Sequence, residues 1–208
     1  MQLLRTLAGI LFLVPGLALA VEPLEGDASR GEGLTAGCVA CHGQDGVAPI
    51  DEYPHLSAQN ERYLLTQMKA IRDGGRPIPL MAGQLDRMSD QDLADIAAFY
   101  AQQDPVIGQA DPDEELLALG ERIYRGGLMN KGVAACAGCH SPTGSGNAPA
   151  GFPRVSGLSV AYVVEQLRAY RENERQTDEP YGGMMRDVAH SLTDNEMKAV
   201  ANYIKGLH

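Results

Sequence analysis

Apolar residues recur at helical spacing in two segments of the chain. They are Leu93, Ile96, Ala97 and Tyr100 in the first segment, and Met197, Val200, Ala201 and Ile204 in the second. Positions three, four and seven residues apart share one face of an α-helix, so each segment predicts an amphipathic helix. No stretch alternates between apolar and polar residues as a half-buried strand does. We therefore expect an all-α protein.

Both predicted helices begin with a capping signal. Ser89 and Thr193 each precede a helix, and an acidic residue, Asp92 or Glu196, follows three positions later. The hydroxyl at such a position accepts a hydrogen bond from the first helical turn, and the acidic side chain accepts one from the backbone of the cap. Apolar positions at helical spacing predict two more helices; they are Leu116, Leu119 and Ile123, and Val163, Leu167 and Tyr170.

The chain contains an internal repeat. The segment "LSAQNERYLLTQMKAIR" (56–72) aligns with "VSGLSVAYVVEQLRAYR" (155–171), and "MSDQDLADIAAFY" (88–100) aligns with "LTDNEMKAVANYI" (192–204). A repeat of this length indicates a duplicated domain. Between the copies, the segment 102–115 is polar and contains Pro105 and Pro112, which stop helices. We expect one domain at 21–103, a linker at 104–113 and a second domain at 114–208.

The first 20 residues have the features of a secretory signal peptide. Arg5 precedes an apolar run from about Leu7 to Leu17, and Ala18–Leu19–Ala20 is a small-residue cleavage site. The alternative is an uncleaved membrane anchor, but the apolar run is shorter than the roughly 18 residues that a spanning helix needs. We expect cleavage after Ala20 and a mature protein outside the cytoplasm.

The charge balance argues against nucleic acid and anionic lipid as partners. The chain has 27 acidic and 17 basic residues, for a net charge of −10. Phosphate backbones and anionic lipid surfaces repel such a protein. The charge is uneven, because residues 21–105 hold 14 acidic and 6 basic groups while residues 106–208 hold 13 and 10.

Two copies of a Cys–Xaa–Xaa–Cys–His motif carry the candidate chemistry. In "GCVACHGQDG" (37–46) and "ACAGCHSPTG" (135–144), Cys38, Cys41 and His42 correspond to Cys136, Cys139 and His140. In this motif both thiols can add to the vinyl groups of a haem while the histidine binds its iron. The motifs therefore predict two covalently attached haem c groups.

Three other functions of the cysteines fit the sequence less well. Disulfides within such short loops would contribute little stability. A zinc site would have to join motifs that lie in separate repeats, unlike a compact zinc ribbon. A thioredoxin-like redox pair requires a β-α-β pattern that this sequence lacks.

Methionine is a common second axial ligand of haem iron in electron carriers. Met81 lies eight residues before Ser89, and Met185 lies eight residues before Thr193, so the repeat makes these two methionines equivalent. Both lie in loops rich in proline and glycine, where the backbone can approach a flat cofactor. Met184 competes with Met185, and His55 competes with Met81. By the same alignment Met68, Met88, Met184 and Met197 are expected to be packing residues.

The two motifs, each followed by a methionine loop and a capped C-terminal helix, make the mature chain resemble the dihaem cytochrome c4 family. The resemblance implies two tandem class I cytochrome c domains, related by pseudo-twofold symmetry and each wrapped around one covalent haem c. It implies haem attachment at Cys38, Cys41, Cys136 and Cys139, and axial ligation by His42, Met81, His140 and Met185. It also implies a periplasmic location and close approach of the haems across the interface.

The resemblance implies an electron carrier rather than an enzyme, serving a respiratory donor and a terminal oxidase. We expect a monomer whose partners are redox proteins and whose association with the membrane, if any, is peripheral. The alternative is a haem-bearing electron-transfer subunit of a sulfur-oxidising enzyme such as flavocytochrome c sulfide dehydrogenase. An enzymatic thiosulfate dehydrogenase typically uses a cysteine as axial ligand, whereas all four cysteines here are assigned to attachment. The segment 127–135 has no counterpart in the first repeat and receives no assignment.

Overall fold

The computed structural model describes residues 24–208, and the predicted signal peptide at 1–20 lies outside them. Within the described residues the structure contains nine α-helices and no β-strand. The helices are α1 (Ala28–Leu34), α2 (Val39–His42), α3 (Glu61–Arg72), α4 (Asp90–Ala101), α5 (Glu114–Gly126), α6 (Ala137–His140), α7 (Val160–Arg171), α8 (Met184–His190) and α9 (Asp194–Lys205). No helix in this part of the chain is long and apolar enough to cross a bilayer.

The helix order repeats along the chain. In the first repeat α1 and α3 pack on α4, and in the second α5 and α7 pack on α9. Residues 102–113, between α4 and α5, contain no helix. Both predicted capping boxes are confirmed. The hydroxyl groups of Ser89 and Thr193 each accept a hydrogen bond from the backbone N–H of the third helical residue, and the carboxylate of that residue accepts one from the backbone N–H of the cap.

Glycine allows the terminal helices of each repeat to cross closely. Gly31 of α1 lies against the carbonyl group of Asp95 in α4, and Gly120 of α5 lies against that of Ala199 in α9. A β-carbon at either glycine would collide with that carbonyl group. The crossing therefore brings two helix backbones together in both repeats.

Each repeat has its own hydrophobic core beside this crossing. Leu64, Ile96 and Tyr100 are at the centre of the first core. The second core is larger and includes Ile123, Tyr124 and Val200. Met197 is completely buried in the second core, as predicted.

The segment 127–135 forms a small loop of its own. Leu128 and Val133 pair as an isolated antiparallel bridge, and a 3-10 turn at Met129–Lys131 lies between them. The side chain of Met129 is 85% exposed at the tip. Lys131 pairs with Glu196 at 2.7 Å, which fastens the loop to the start of α9.

Candidate functional site

Both Cys–Xaa–Xaa–Cys–His motifs fold as one-turn helices. Cys38 is the N-cap of α2 and Cys136 that of α6, and in each motif the histidine backbone N–H donates to the carbonyl of this cysteine at 2.9 Å. Residues three and four positions apart share a helix face, so the two thiols and the imidazole of each motif lie on one side. All four cysteines are free thiols, so the disulfide interpretation is wrong.

Both motifs face a single continuous cavity of about 770 Å³. Its walls include the predicted site residues of both repeats, which are Cys38, Cys41, His42, Met81, Cys136, Cys139, His140 and Met185. Apolar side chains from each core, such as Leu64 and Ile96 in the first repeat and Val163 and Leu167 in the second, complete the walls. An apolar cavity with a few polar groups suits a large flat cofactor.

A backbone carbonyl orients each histidine. Nδ1 of His42 lies 3.1 Å from the carbonyl oxygen of Pro54, and Nδ1 of His140 lies 2.9 Å from that of Pro153. A carbonyl can only accept, so Nδ1 donates in both rings and Nε2 keeps its lone pair. A metal-binding histidine usually has this arrangement, in which the second ring nitrogen fixes the tautomer. Burial also lowers the pKa of both imidazoles, which keeps them neutral and able to bind a metal.

The first cysteine of each motif, which is the more buried of the two, is kept as a neutral thiol. Burial raises the pKa of Cys136 to about 11, and burial also raises that of Cys38. Zinc binds thiolates, so these environments disfavour it. Moreover, no group of three or more His, Cys, Asp and Glu side chains within residues 24–208 could hold a metal ion. The structure thus gives no support to a zinc site, and residues 24–208 contain no strand that could form a thioredoxin-like βαβ unit.

The methionines differ in whether they line the cavity. Met81 ends a 3-10 turn at Pro79–Met81, Met185 is the second residue of α8, and both are half-buried in the cavity wall. Met68 and Met184 also line the cavity, whereas Met88 and Met197 do not. The expectation that Met184 is a packing residue is wrong, because its side chain is 41% exposed. It is the first residue of α8, and its counterpart Leu80 is also exposed.

His55 differs from the other histidines without a repeat counterpart. His190 and His208 are exposed. His55 is half-buried, lines the cavity and accepts a hydrogen bond at Nδ1 from the backbone N–H of Ala48 at 3.0 Å. Burial lowers the pKa of His55. It follows Pro54, just as Arg154 follows Pro153, so this position is a point of chemical difference between the repeats.

Hydrogen bonds join the two repeats beside the cavity. The side-chain amide of Gln59 donates to the carbonyl of Arg154 at 2.9 Å and accepts from its backbone N–H at 2.8 Å. The hydroxyl of Ser159 donates to the carbonyl of Asp51. These bonds join the loop after each motif to the other repeat.

Sequence reasoning missed two arginines at the same interface. Arg76 and Arg175 are buried in the cavity wall, 8% and 5% exposed. The repeat alignment pairs Arg72 with Arg171 instead, and these two arginines form ion pairs with Asp90 and Asp194, respectively. The missed pair has the same offset of 99 residues as the helices before it, so extending the alignment past α3 would have found it.

The family model described as Cytochrome c matches this chain twice, at residues 28–103 and 118–208. Cytochrome c4 from Azotobacter vinelandii is 45% identical over 204 residues, covering 94% of each chain. The crystal structure of reduced recombinant cytochrome c4 from Pseudomonas stutzeri superposes with a TM-score of 0.85 at 44% identity and covers 88% of this chain and 100% of its own. A protein named thiosulfate dehydrogenase electron acceptor, from Thiomonas intermedia (strain K12), is 34% identical over 81% of this chain and 77% of its own.

Proposed function

The chain belongs to the cytochrome c family as a dihaem electron-transfer cytochrome, and on this premise we propose that it carries electrons in the periplasm between a respiratory donor and a terminal oxidase. The observation that carries the proposal is the matched pair of sites on one cavity. Each site combines two free thiols, a histidine oriented through Nδ1 and a methionine. We propose domains at 21–103 and 114–208, joined by a linker at 104–113.

The residues present fit covalent attachment of one haem c in each repeat. Haem c supplies an iron that takes up and releases one electron. Cys38 and Cys41 would hold the haem of the first repeat by adding their thiols to its two vinyl groups, and Cys136 and Cys139 would do the same in the second. The attachment needs free thiols on one face of a short helix beside an apolar cavity, and both motifs provide this arrangement.

Nε2 of His42 and His140 and the thioether sulfurs of Met81 and Met185 would bind the two haem irons. Because the carbonyls of Pro54 and Pro153 fix Nδ1, the free nitrogen of each imidazole has one orientation. A histidine and a methionine together raise the reduction potential of a haem, which suits the high-potential end of a respiratory chain. Such a closed site exchanges electrons without binding a substrate.

The experiment that tests the carrier role measures electron transfer to oxidase. Pre-reduced holoprotein is mixed with membranes that contain a terminal oxidase, and the loss of the ferrous spectrum is followed by stopped flow. We expect rapid oxidation of both haems that cyanide, an inhibitor of the oxidase, abolishes. Slow oxidation that cyanide does not affect would contradict the proposal.

A second candidate is electron acceptor of a sulfur-oxidising enzyme, which the similarity to the Thiomonas protein favours. In this function the electron donor is the sulfur-oxidising enzyme, whereas in the first it is a respiratory protein. Purified ferric holoprotein is mixed with thiosulfate in the presence and absence of a thiosulfate dehydrogenase. Reduction only when the enzyme is present, together with copurification of the two proteins, would favour this donor over a respiratory one.

A further inference from the structure

A buried tyrosine of the first repeat has a hydroxyl group whose hydrogen bond is not made by the protein. Tyr100, near the end of α4, is 1% exposed and belongs to the first core. Its side chain also lines the cavity beside the first motif. Within residues 24–208 the hydroxyl oxygen has no hydrogen-bond partner. Buried hydroxyl groups in folded proteins nearly always have a partner, which indicates that the hydrogen bond of this one is completed when the cofactor is attached.

The ring of Tyr100 is held in one position. Its backbone carbonyl accepts a hydrogen bond from the N–H of Ala58 at 2.9 Å, and the ring of Phe99 packs against it with 5.1 Å between the two centroids. Gly46 lies on another side, where a β-carbon would come within 2.8 Å of Cδ1 of the ring. A side chain packed in this way has little freedom to turn, so its hydroxyl group stays in the cavity wall.

The sulfur of Cys38 lies beside this hydroxyl group. Cys38 packs against the same core, and both residues line the cavity. Burial raises the pKa of the Cys38 thiol, and the Tyr100 hydroxyl lowers it, as an adjacent proton donor does. Burial and the neighbouring Cys38 in turn raise the pKa of Tyr100, so the phenol keeps its proton and can donate. The two groups therefore interact, although the free thiol does not complete a hydrogen bond.

Thr35 is the other neighbour of the Tyr100 hydroxyl group. The side chain of Thr35 is buried, and its own hydroxyl donates to the carbonyl of Glu32 at 2.9 Å. This hydroxyl lowers the pKa of Tyr100, which places the two oxygens near each other. Oγ1 of Thr35 is therefore a competing acceptor for the phenol proton, and a test has to separate it from the sulfur of Cys38.

The second repeat also buries a tyrosine near the first cysteine of its motif, but the hydroxyl group of that tyrosine is already bonded. Tyr124 of α5 is completely buried, and burial and the neighbouring Cys136 raise its pKa. Its hydroxyl donates to the carbonyl of Ser141 at 2.7 Å. The counterpart of Tyr100 on α9 is Ile204, which has no proton to donate. Among the residues that the structure describes, a phenol without a partner therefore lies beside the first motif and not beside the second.

We propose that Tyr100 donates a hydrogen bond to the sulfur of Cys38 in the holoprotein and thereby raises the reduction potential of the first haem but not of the second. The inference rests on the proposed attachment of one haem in each repeat. Attachment turns the Cys38 thiol into a thioether, which has no proton of its own and acts only as an acceptor. The positive end of the O–H dipole at the edge of the cofactor favours the reduced iron, and the apolar core strengthens this effect. Tyr100 is a positioning residue, since it acts on the iron through the sulfur.

A spectroelectrochemical titration of the holoprotein tests this inference, with proton NMR of the haem methyl groups to follow each haem separately. Tyr100→Phe keeps the ring and removes only the hydroxyl oxygen. It should lower the reduction equilibrium constant of the first haem by about threefold, which is less than the full strength of one hydrogen bond because the bond is present in both oxidation states. The constant of the second haem should not change. The matched control is Tyr124→Phe, which removes a buried hydroxyl bonded to the backbone and should leave both constants unchanged.

Melting temperatures of the same holoproteins show whether the Tyr100 hydroxyl group has an acceptor. If it donates to the sulfur, Tyr100→Phe loses a hydrogen bond and the melting temperature should fall. If it has no acceptor, phenylalanine removes an unpaired buried polar group and the melting temperature should rise, which would overturn the proposal. An unchanged potential of the first haem, or an equal shift in both haems, would overturn it as well.

Thr35→Val separates the two acceptors. If the phenol donates to Cys38, this variant should keep the wild-type potential of the first haem. A shift as large as that of Tyr100→Phe would assign the effect to Thr35 and contradict the proposal. Oxidation by the oxidase distinguishes this inference from the carrier role. Cyanide-sensitive oxidation without the Tyr100→Phe shift would count against the inference alone, and loss of oxidation with the shift present would count against the carrier role alone.

Discussion

The proposed methionine ligand of each haem is the side chain that would separate an electron carrier from a haem open to small ligands. Met81 and Met185 occupy equivalent places eight residues before a capping residue, and both lie in the cavity wall. Met184 lies in the same wall, but it is 41% exposed and its counterpart is Leu80, which cannot bind iron. The repeat therefore selects Met185 where the cavity alone leaves two candidates.

Replacing Met81 or Met185 with alanine should leave the haem of that repeat high-spin and able to bind carbon monoxide. The physical reason is the loss of the only sulfur ligand assigned to that iron. Magnetic circular dichroism and carbon monoxide titration measure the fraction of haem affected, which should be half in each variant. Met184→Ala and His55→Gln serve as controls and should keep the wild-type spectrum. A high-spin haem in either control would transfer the assignment to that residue.

His55 should make the stability of the holoprotein sensitive to mild acid. Its Nδ1 accepts a hydrogen bond from Ala48, and burial lowers its pKa, with the Lys205 charge adding to this and the Asp51 charge opposing it. Above the usual histidine pKa of 6.5 the folded and unfolded forms are both neutral. Below it the unfolded chain takes up the proton first, so stability falls with pH until the folded pKa is reached.

Thermal melts between pH 7.5 and pH 5 measure this effect. We expect His55→Gln to lose part of the decline in melting temperature that the wild type shows. The control His190→Gln, at an exposed histidine, should keep all of it. Identical pH profiles for the wild type and His55→Gln would disprove the role of His55.

A close helix crossing packs the first and last helices of each repeat against each other. In α1 and α5, Gly31 and Gly120 let the helix backbone touch the carbonyl side of α4 and α9. Helices α4 and α9 also carry the two capping boxes and the apolar faces that bury Leu93, Ile96 and Val200. Equivalent crossings in both repeats explain why two copies of one sequence pattern form the same architecture.

Gly31→Ala should destabilise the first repeat by about 1–3 kcal/mol, the usual cost of forcing extra volume into a packed contact. Gly33, two residues along in α1, has no atom near its missing β-carbon. Gly33→Ala should therefore leave the free energy of unfolding unchanged or raise it by about 0.5–1 kcal/mol, since alanine has a higher helix propensity than glycine. Denaturant titration of the holoprotein measures both values. Equal effects of the two substitutions would show that α1 does not pack as closely as the structure indicates.

Local signals were enough to predict four of the helices and both motifs, while they could not predict the contacts between the repeats. Two of these features depend on residues only a few positions apart, so the sequence predicts them; they are the caps at Ser89 and Thr193 and the spacing of the thiols. The partners of Arg76 and Arg175 in the opposite repeat are 86 to 112 residues away, and only the fold brings them together. The exposure of Met184 depends on where α8 begins, which the loop of proline and glycine before it does not specify.

The whole molecule is acidic, and its two halves differ in charge. Residues 21–105 carry 14 acidic and 6 basic groups, against 13 and 10 in residues 106–208. A field of this sign attracts cations and repels anions, and salt weakens both effects. The charge thus favours redox partners with a basic surface.

Two small oxidants of opposite charge test this steering. Oxidation of the reduced holoprotein by a cationic cobalt phenanthroline complex should slow as ionic strength rises. Oxidation by ferricyanide, which is anionic, should accelerate over the same range. Rates that do not respond to salt with either oxidant would contradict steering by the overall charge.

The ferric absorption spectrum of the purified holoprotein is the decisive test of the two proposed histidine–methionine sites. Methionine sulfur on ferric haem iron gives a weak long-wavelength band, and its intensity can be divided by the haem content of the same sample. We predict two haems per chain and a full methionine band for each of them. A band of half that intensity would mean that one iron has another ligand or an open position, which would contradict a carrier with two closed histidine–methionine sites.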